Sequence, residues 1–205
     1  MLLTPHPPSP TRGHAGRGLS VIELMITIAL AALLLGLAVP SLSTWIRNAQ
    51  IRTVTDSLQN GLRLAQAEAV RRQRQVVFFL SANPTCDTTN TATANGRFWV
   101  VRTVSFVGDA AEVVQCGVLA EADTGTTITG PTALCFSSAG RLVAIPDPGV
   151  GGSACVVAGL SRYAVSRSSG TDLRPLQVTV SMGGQTRLCD PARTLSDTQP
   201  DGCPP

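Results

Sequence analysis

Residues 19–75 read LSVIELMITIALAALLLGLAVPSLSTWIRNAQIRTVTDSLQNGLRLAQAEAVRRQRQ, and this stretch decides the architecture. Residues 19–39 are mostly apolar and carry one charge, Glu23. At about 1.5 Å per residue the run can cross a hydrocarbon core roughly 30 Å thick. A carboxylate inside such a run is costly, so Glu23 is expected to have a function and a partner. After Pro40 the pattern changes. Leu42, Trp45 and Ile46, Ala49, Val54, Leu58, Leu62, Ala65 and Ala69 recur mainly every three to five residues, an apolar stripe on an otherwise polar helix. Pro40 lacks a backbone donor and predicts a kink where the two halves meet. The expectation is one long helix, half in lipid (19–40) and half amphipathic (41–75).

Working outward, residues 1–18 form a polar leader with Arg12 and Arg17. Basic flanks keep that side of a membrane segment in the cytoplasm. A cleaved secretory signal is the plainer alternative. It fits less well, because the apolar run is long, Pro40 interrupts the small-residue site at its end, and Glu23 would serve nothing in a disposable segment. That alternative places the mature N-terminus near residue 40.

The amphipathic half needs a surface to pack on, and the remainder supplies β-rich runs. These are 75–80, 97–107, 112–119, 126–130, 133–143, 155–167 and 173–189, separated by Gly, Pro, Asn, Asp and Thr clusters. Strands at this spacing without intervening helices predict antiparallel sheets. The fold class expected is α+β: a long N-terminal helix packed on antiparallel β-sheets. The β-rich head spans 76–189, and the Pro-rich tail 190–205 is expected to be irregular.

Cys86, Cys116, Cys135, Cys155, Cys189 and Cys203 fall in no zinc-like spacing. Their even number in a Thr/Ser/Gly-rich region suits disulfides in an oxidising compartment. Sequence leaves the pairing open; Cys189–Cys203 is preferred because it would tie down the tail. All sixteen basic residues are Arg, and the two histidines, His6 and His14, lie in the leader. Without the leader the chain has neither His nor Lys. That excludes His-based triads, Schiff-base lysines and P-loops, and no enzyme, cofactor or metal site is expected.

The junction Gly18–Leu19–Ser20–Val21–Ile22–Glu23 resembles the class III signal of type IV prepilins, with a glycine before the cut and Glu at the fifth mature position. Pro40 falls where major pilins also carry a proline. Leu19 stands where Phe is usual. Residues 56–79 look like the end of the long helix in the GspH/FimT family of minor pilins and pseudopilins. FSSAGR (136–141) resembles a strand-and-turn element of that family. Near the C-terminus FimT-type proteins carry G-R-x-R beside a cysteine. Here Gly184, Arg187 and Cys189 match, and Gln185 replaces the first Arg.

The resemblance implies a subunit of a type IV pilus or a type II secretion pseudopilus. Prepilin peptidase would cut between Gly18 and Leu19, and Leu19 would be N-methylated. Glu23 would pair with the N-terminal amine of a neighbouring subunit. The implied partners are other pilins, the peptidase and an inner-membrane assembly platform. The chain would be single-pass in the inner membrane with a periplasmic head, then part of a filament. Residues 41–75 carry six Arg against Asp56 and Glu68, a net +4. Solvated surface and subunit contact is the plainer reading of that charge. The alternative is contact with double-stranded DNA during uptake, through Arg187 by resemblance and through Arg71, Arg72 and Arg74 near the helix end.

Overall fold

The computed structural model describes residues 20–119, 125–157, 159–170 and 172–205, with the side chains of 37–41 also outside the description. The leader, Gly18, Leu19 and the Pro40 side chain therefore lie outside the described residues. The chain divides into two units after Ser41.

Helix α1 runs Val21–Arg72. In the first unit it starts after Ser20, whose carbonyl accepts the Leu24 N–H at 3.1 Å. Every described side chain from residue 20 to 36 is exposed, including Val21, Ile22, Leu30 and Leu34. Among the described residues no helix is long and apolar enough to cross a membrane.

In the second unit α1 buries Ile51, Val54, Leu58, Leu62, Ala65 and Ala69. The expected stripe holds from Val54 onward. Leu42, Trp45, Ile46 and Ala49 are exposed, and Ile51 takes the first buried position. Thr55 is also buried and returns its hydroxyl to the Ile51 carbonyl at 2.6 Å. The helix ends three residues before Gln75. Gln73 adopts φ 51°, its N–H bonds Val70 O, and the Arg74 N–H bonds Ala69 O. This is a Schellman stop with Gln in the left-handed position that Gly usually fills.

Nine strands are present among the described residues: β1 Val76–Ser81, β2 Phe98–Thr103, β3 Val113–Val118, β4 Thr126–Thr129, β5 Ala133–Phe136, β6 Ser161–Arg167, β7 Leu176–Val180, β8 Thr186–Thr194 and β9 Gly202–Cys203. They make a four-stranded sheet, β3-β2-β1-β5, and a five-stranded sheet, β4-β6-β7-β8-β9. All pairs are antiparallel except β8 with β9. The helix stripe meets Val76, Phe78, Leu80, Trp99 and Val101 of one sheet and Tyr163, Val165, Val178 and Val180 of the other in one core. Phe78 stacks near Trp99 and meets Tyr163 edge-on, with centroids 6.4 and 6.3 Å away. A Cβ on Gly61 would come within 2.8 Å of the Trp99 ring, so the bare glycine lets the helix close on the sheet.

The other face of the four-stranded sheet is covered too. Val77, Phe79, Val100, Ala133 and Cys135 form a second cluster with Val150 and Cys155. That is why β1 is buried at every position instead of alternating.

The tail differs from the sequence expectation, and the β-rich run 173–189 folds as a hairpin of β7 and β8. It turns at residues 181–185, where Gly184 has φ +84° and lies so close to the Gly140 carbonyl that no Cβ fits. The tail is not irregular. β8 continues through Pro191 to Thr194, and β9 pairs alongside it. Pro191 is tolerated because β7 pairs β8 only as far as Cys189, so no β7 carbonyl needs its missing N–H.

Candidate assembly segment and arginine surfaces

Glu23 lies in the first turn of α1, exposed among exposed apolar neighbours. A carboxylate there complements the helix dipole. An apolar helix surface on all sides asks for an apolar environment outside the chain.

Arg71, Arg72 and Arg74 come together at the other end of α1, each beside a carboxylate. Arg71 grips Glu68 with Nε and Nη2, at 2.9 and 2.6 Å. Arg72 reaches Glu68 at 2.9 Å and Glu112 at 2.6 Å, and Arg74 reaches Asp109 at 3.0 Å. Hydrogen bonds from Arg71 and then Arg72 hold the Glu68 carboxyl down to about 2. Both guanidinium pKa values are raised by the same contacts. Arg72 and Arg74 fasten the helix end to the β2–β3 hairpin, where Glu112 and Asp109 lie, while Arg71 pairs within the helix.

Arg187 is elsewhere, exposed on β8 opposite Thr179. Its Nη2 donates to the Pro200 carbonyl. Gln185 sits in the 181–185 turn, its N–H on the Ser181 hydroxyl. The six cysteines form Cys86–Cys116, Cys135–Cys155 and Cys189–Cys203. The last is the pair preferred from sequence.

Sequence reasoning passed over Arg102 and Arg162. Arg102 is 3% exposed on the loop-covered face of β2. It donates to Thr88 O at 2.8 Å and Gly149 O at 2.5 Å, clamping both covering loops to the sheet. Burial pushes its pKa down, and among the described residues no carboxylate pairs with it. The signal was a single Arg inside the apolar run FWVVRT. Arg162 faces Thr179 from the opposite side to Arg187. No group of three His, Cys, Asp or Glu able to hold a metal occurs among the described residues.

A family model described as type II transport protein GspH matches residues 54–184. The chain belongs to the GspH family. It is a GspH/FimT-like type IV minor pilin or pseudopilin, and that family is one of structural subunits. No curated protein matches the chain. Among solved structures it is similar to the type IV minor pilin FimU of Pseudomonas aeruginosa, at 18% identity over 76% of this chain and 96% of that one, TM-score 0.47. It is also similar to the minor pseudopilin EpsH of the type 2 secretion system of Vibrio cholerae, at 14% identity over 67% and 94%, TM-score 0.42. The GspH match opens inside the packed half of α1 and closes in the turn before β8. The apolar helical segment, β8, β9 and the Cys189–Cys203 bridge lie beyond it.

Proposed function

We propose that this GspH-family chain is a non-catalytic filament subunit, built into a type IV pilus or a type II secretion pseudopilus after cleavage between Gly18 and Leu19 and N-methylation of Leu19. The observation that carries the reading is α1 itself. One helix presents exposed apolar side chains around residues 21–36 and then packs a head with residues 51–69. The first part has apolar surface that only lipid or neighbouring subunits would cover. In this reading the membrane holds the subunit before assembly, and the partners are other pilins, prepilin peptidase and the inner-membrane platform.

Glu23 supplies register. A carboxylate in an apolar helix bundle is costly alone and is relieved by an opposite charge, here the N-terminal amine of a neighbour. The test is incorporation. Tagged subunit is followed into sheared filaments in cells carrying the assembly machine, with Glu23→Ala and Glu23→Gln alongside. The reading expects both variants to be cleaved and membrane-retained, with incorporation reduced at least tenfold. Incorporation unchanged in both would remove the register role.

The DNA-uptake reading has less support. Arg71, Arg72 and Arg74 are ion-paired, and Arg187 is engaged by Pro200.

A further inference from the structure

The first turns of α1 in the second unit carry arginines that the filament reading leaves unused. Arg47 and Arg52 stand on the helix itself. The segment between β6 and β7 brings two more. Asn48 Nδ2 donates to Asp172 O at 3.3 Å, and the Arg174 N–H donates to Asn48 Oδ1 at 2.9 Å, so this segment is tied to the helix. Arg167, at the end of β6, donates from Nη1 to Gln50 Oε1. A Cβ on Gly170 would lie 2.8 Å from Arg47 Nη1. Four guanidinium side chains therefore gather round helix residues 47–52.

Their charge is little compensated. Among the described residues Arg47, Arg167 and Arg174 have no carboxylate within ion-pairing distance, and Arg52 has only Asp56, at 3.9 Å. Asp190 and Asp201 line the same cleft as Arg52 and Arg174, and Arg193 pairs with both, at 3.8 and 2.6 Å. Apolar groups share the surface. Trp45 is 67% exposed and lines that cleft, and Leu42 and Ile46 are exposed beside it on the helix. Only residues 37–41 separate this surface in sequence from the exposed apolar stretch 21–36. An exposed Trp among arginines, directly after an apolar segment, matches a membrane–water interface, where the indole sits at headgroup depth and guanidiniums bind phosphate. A second copy of the head is a poorer match, because its exposed Glu112 and Asp109 are already paired.

We propose that Arg47, Arg52, Arg167 and Arg174, with Trp45, form a collar that seats the head on anionic phospholipid headgroups while the subunit waits in the membrane. The proposal rests on the reading that the membrane holds the subunit before assembly. Basic residues next to a membrane segment each add attraction to an anionic surface, and salt screens it. Entry into a filament would break these contacts, so the collar makes extraction of the subunit depend on the lipid around it.

The test reconstitutes the full chain in phosphatidylcholine vesicles. Brominated phosphatidylglycerol or brominated phosphatidylcholine is added at equal mole fraction, and quenching of Trp45 fluorescence is read. A Trp45→Phe chain supplies the background from buried Trp99. Phosphatidylglycerol is expected to quench Trp45 at least threefold more effectively, and roughly 0.5 M salt should remove the preference. The preference should also vanish in Arg47→Gln/Arg52→Gln/Arg174→Gln, which keeps polar side chains in place. Phenylglyoxal should label Arg52 and Arg174 severalfold more slowly in phosphatidylglycerol vesicles than in phosphatidylcholine, with exposed Arg141 unchanged. Equal quenching by the two lipids, or a preference that survives the triple variant, overturns the collar. If the triple variant fails to fold, Arg52→Gln/Arg174→Gln, both exposed, decides: a preference at least halved supports the collar, and an unchanged one overturns it. No lipid preference in the parent, with filament incorporation lost in the variant, assigns the arginines to a neighbouring subunit and overturns the lipid. A chain that neither vesicle retains fails the membrane reading itself, whereas a retained chain without preference fails only the collar.

Discussion

Residues 21–36 and 51–69 belong to the same helix and are both rich in Leu, Ile, Val and Ala, yet every described side chain of the first stretch is exposed while the second buries six apolar side chains. The difference lies in arrangement. In the second stretch the apolar residues step by three and four, so they fall on one face and a sheet can cover them. In the first they surround the helix, and one sheet face could not cover them all. Apolar content alone says that a segment will be buried; its angular distribution says whether the chain or its surroundings will bury it.

Substitutions in the two stretches should behave oppositely. Leu58→Ala leaves a cavity between α1 and the sheets and should cost about 2–5 kcal/mol, read as a fall in denaturant midpoint. Leu30→Ala, on the exposed stretch, should leave the head's midpoint within ~0.5 kcal/mol. An equal loss for the two would break the contrast. Next in size is the bridge Cys135–Cys155, which ties β5 to a covering loop; its serine double variant should lose about 2–4 kcal/mol.

A smaller effect comes from Glu68. Its carboxyl is depressed to about 2 by Arg71 and Arg72, against an unfolded value near 4.5. A depressed carboxylate contributes stability that is complete above the unfolded value and is lost as pH falls through the folded one. The head should therefore weaken between about pH 4.5 and 2. Glu68→Gln should flatten that part of a melting-temperature-against-pH curve, and an unaltered curve would contradict the pairing. The smallest effect belongs to Arg52. Its contact with Asp56 is 3.9 Å long and well exposed, so Arg52→Ala should shift stability by less than about 0.5 kcal/mol.

These contrasts also explain what the sequence discloses. The helix was legible because Val54, Leu58, Leu62, Ala65 and Ala69 keep a regular step. The strands were legible because Val and Phe runs are bounded by Gly, Asn and Pro. The end of α1 was not, since a left-handed Gln73 leaves no compositional mark. The break at 181–185 depends on Gly184 approaching Gly140, a contact between turns more than forty residues apart in sequence. The tail read as irregular from its prolines, whereas partners on β8 and β9 order it. Arg72 and Arg74 read as free cations because Glu112 and Asp109, which pair with them, come from a distant hairpin. Arg102 was hidden in a strand whose outer face gains its cover only from two loops.

The most direct test of the filament-subunit account is the mature N-terminus. The full chain is expressed with a prepilin peptidase, recovered from membranes and measured by intact and peptide mass spectrometry. The account predicts a chain that begins at Leu19 and carries one N-methyl group. A chain that begins near residue 40 and is recovered in the soluble periplasmic fraction would contradict it.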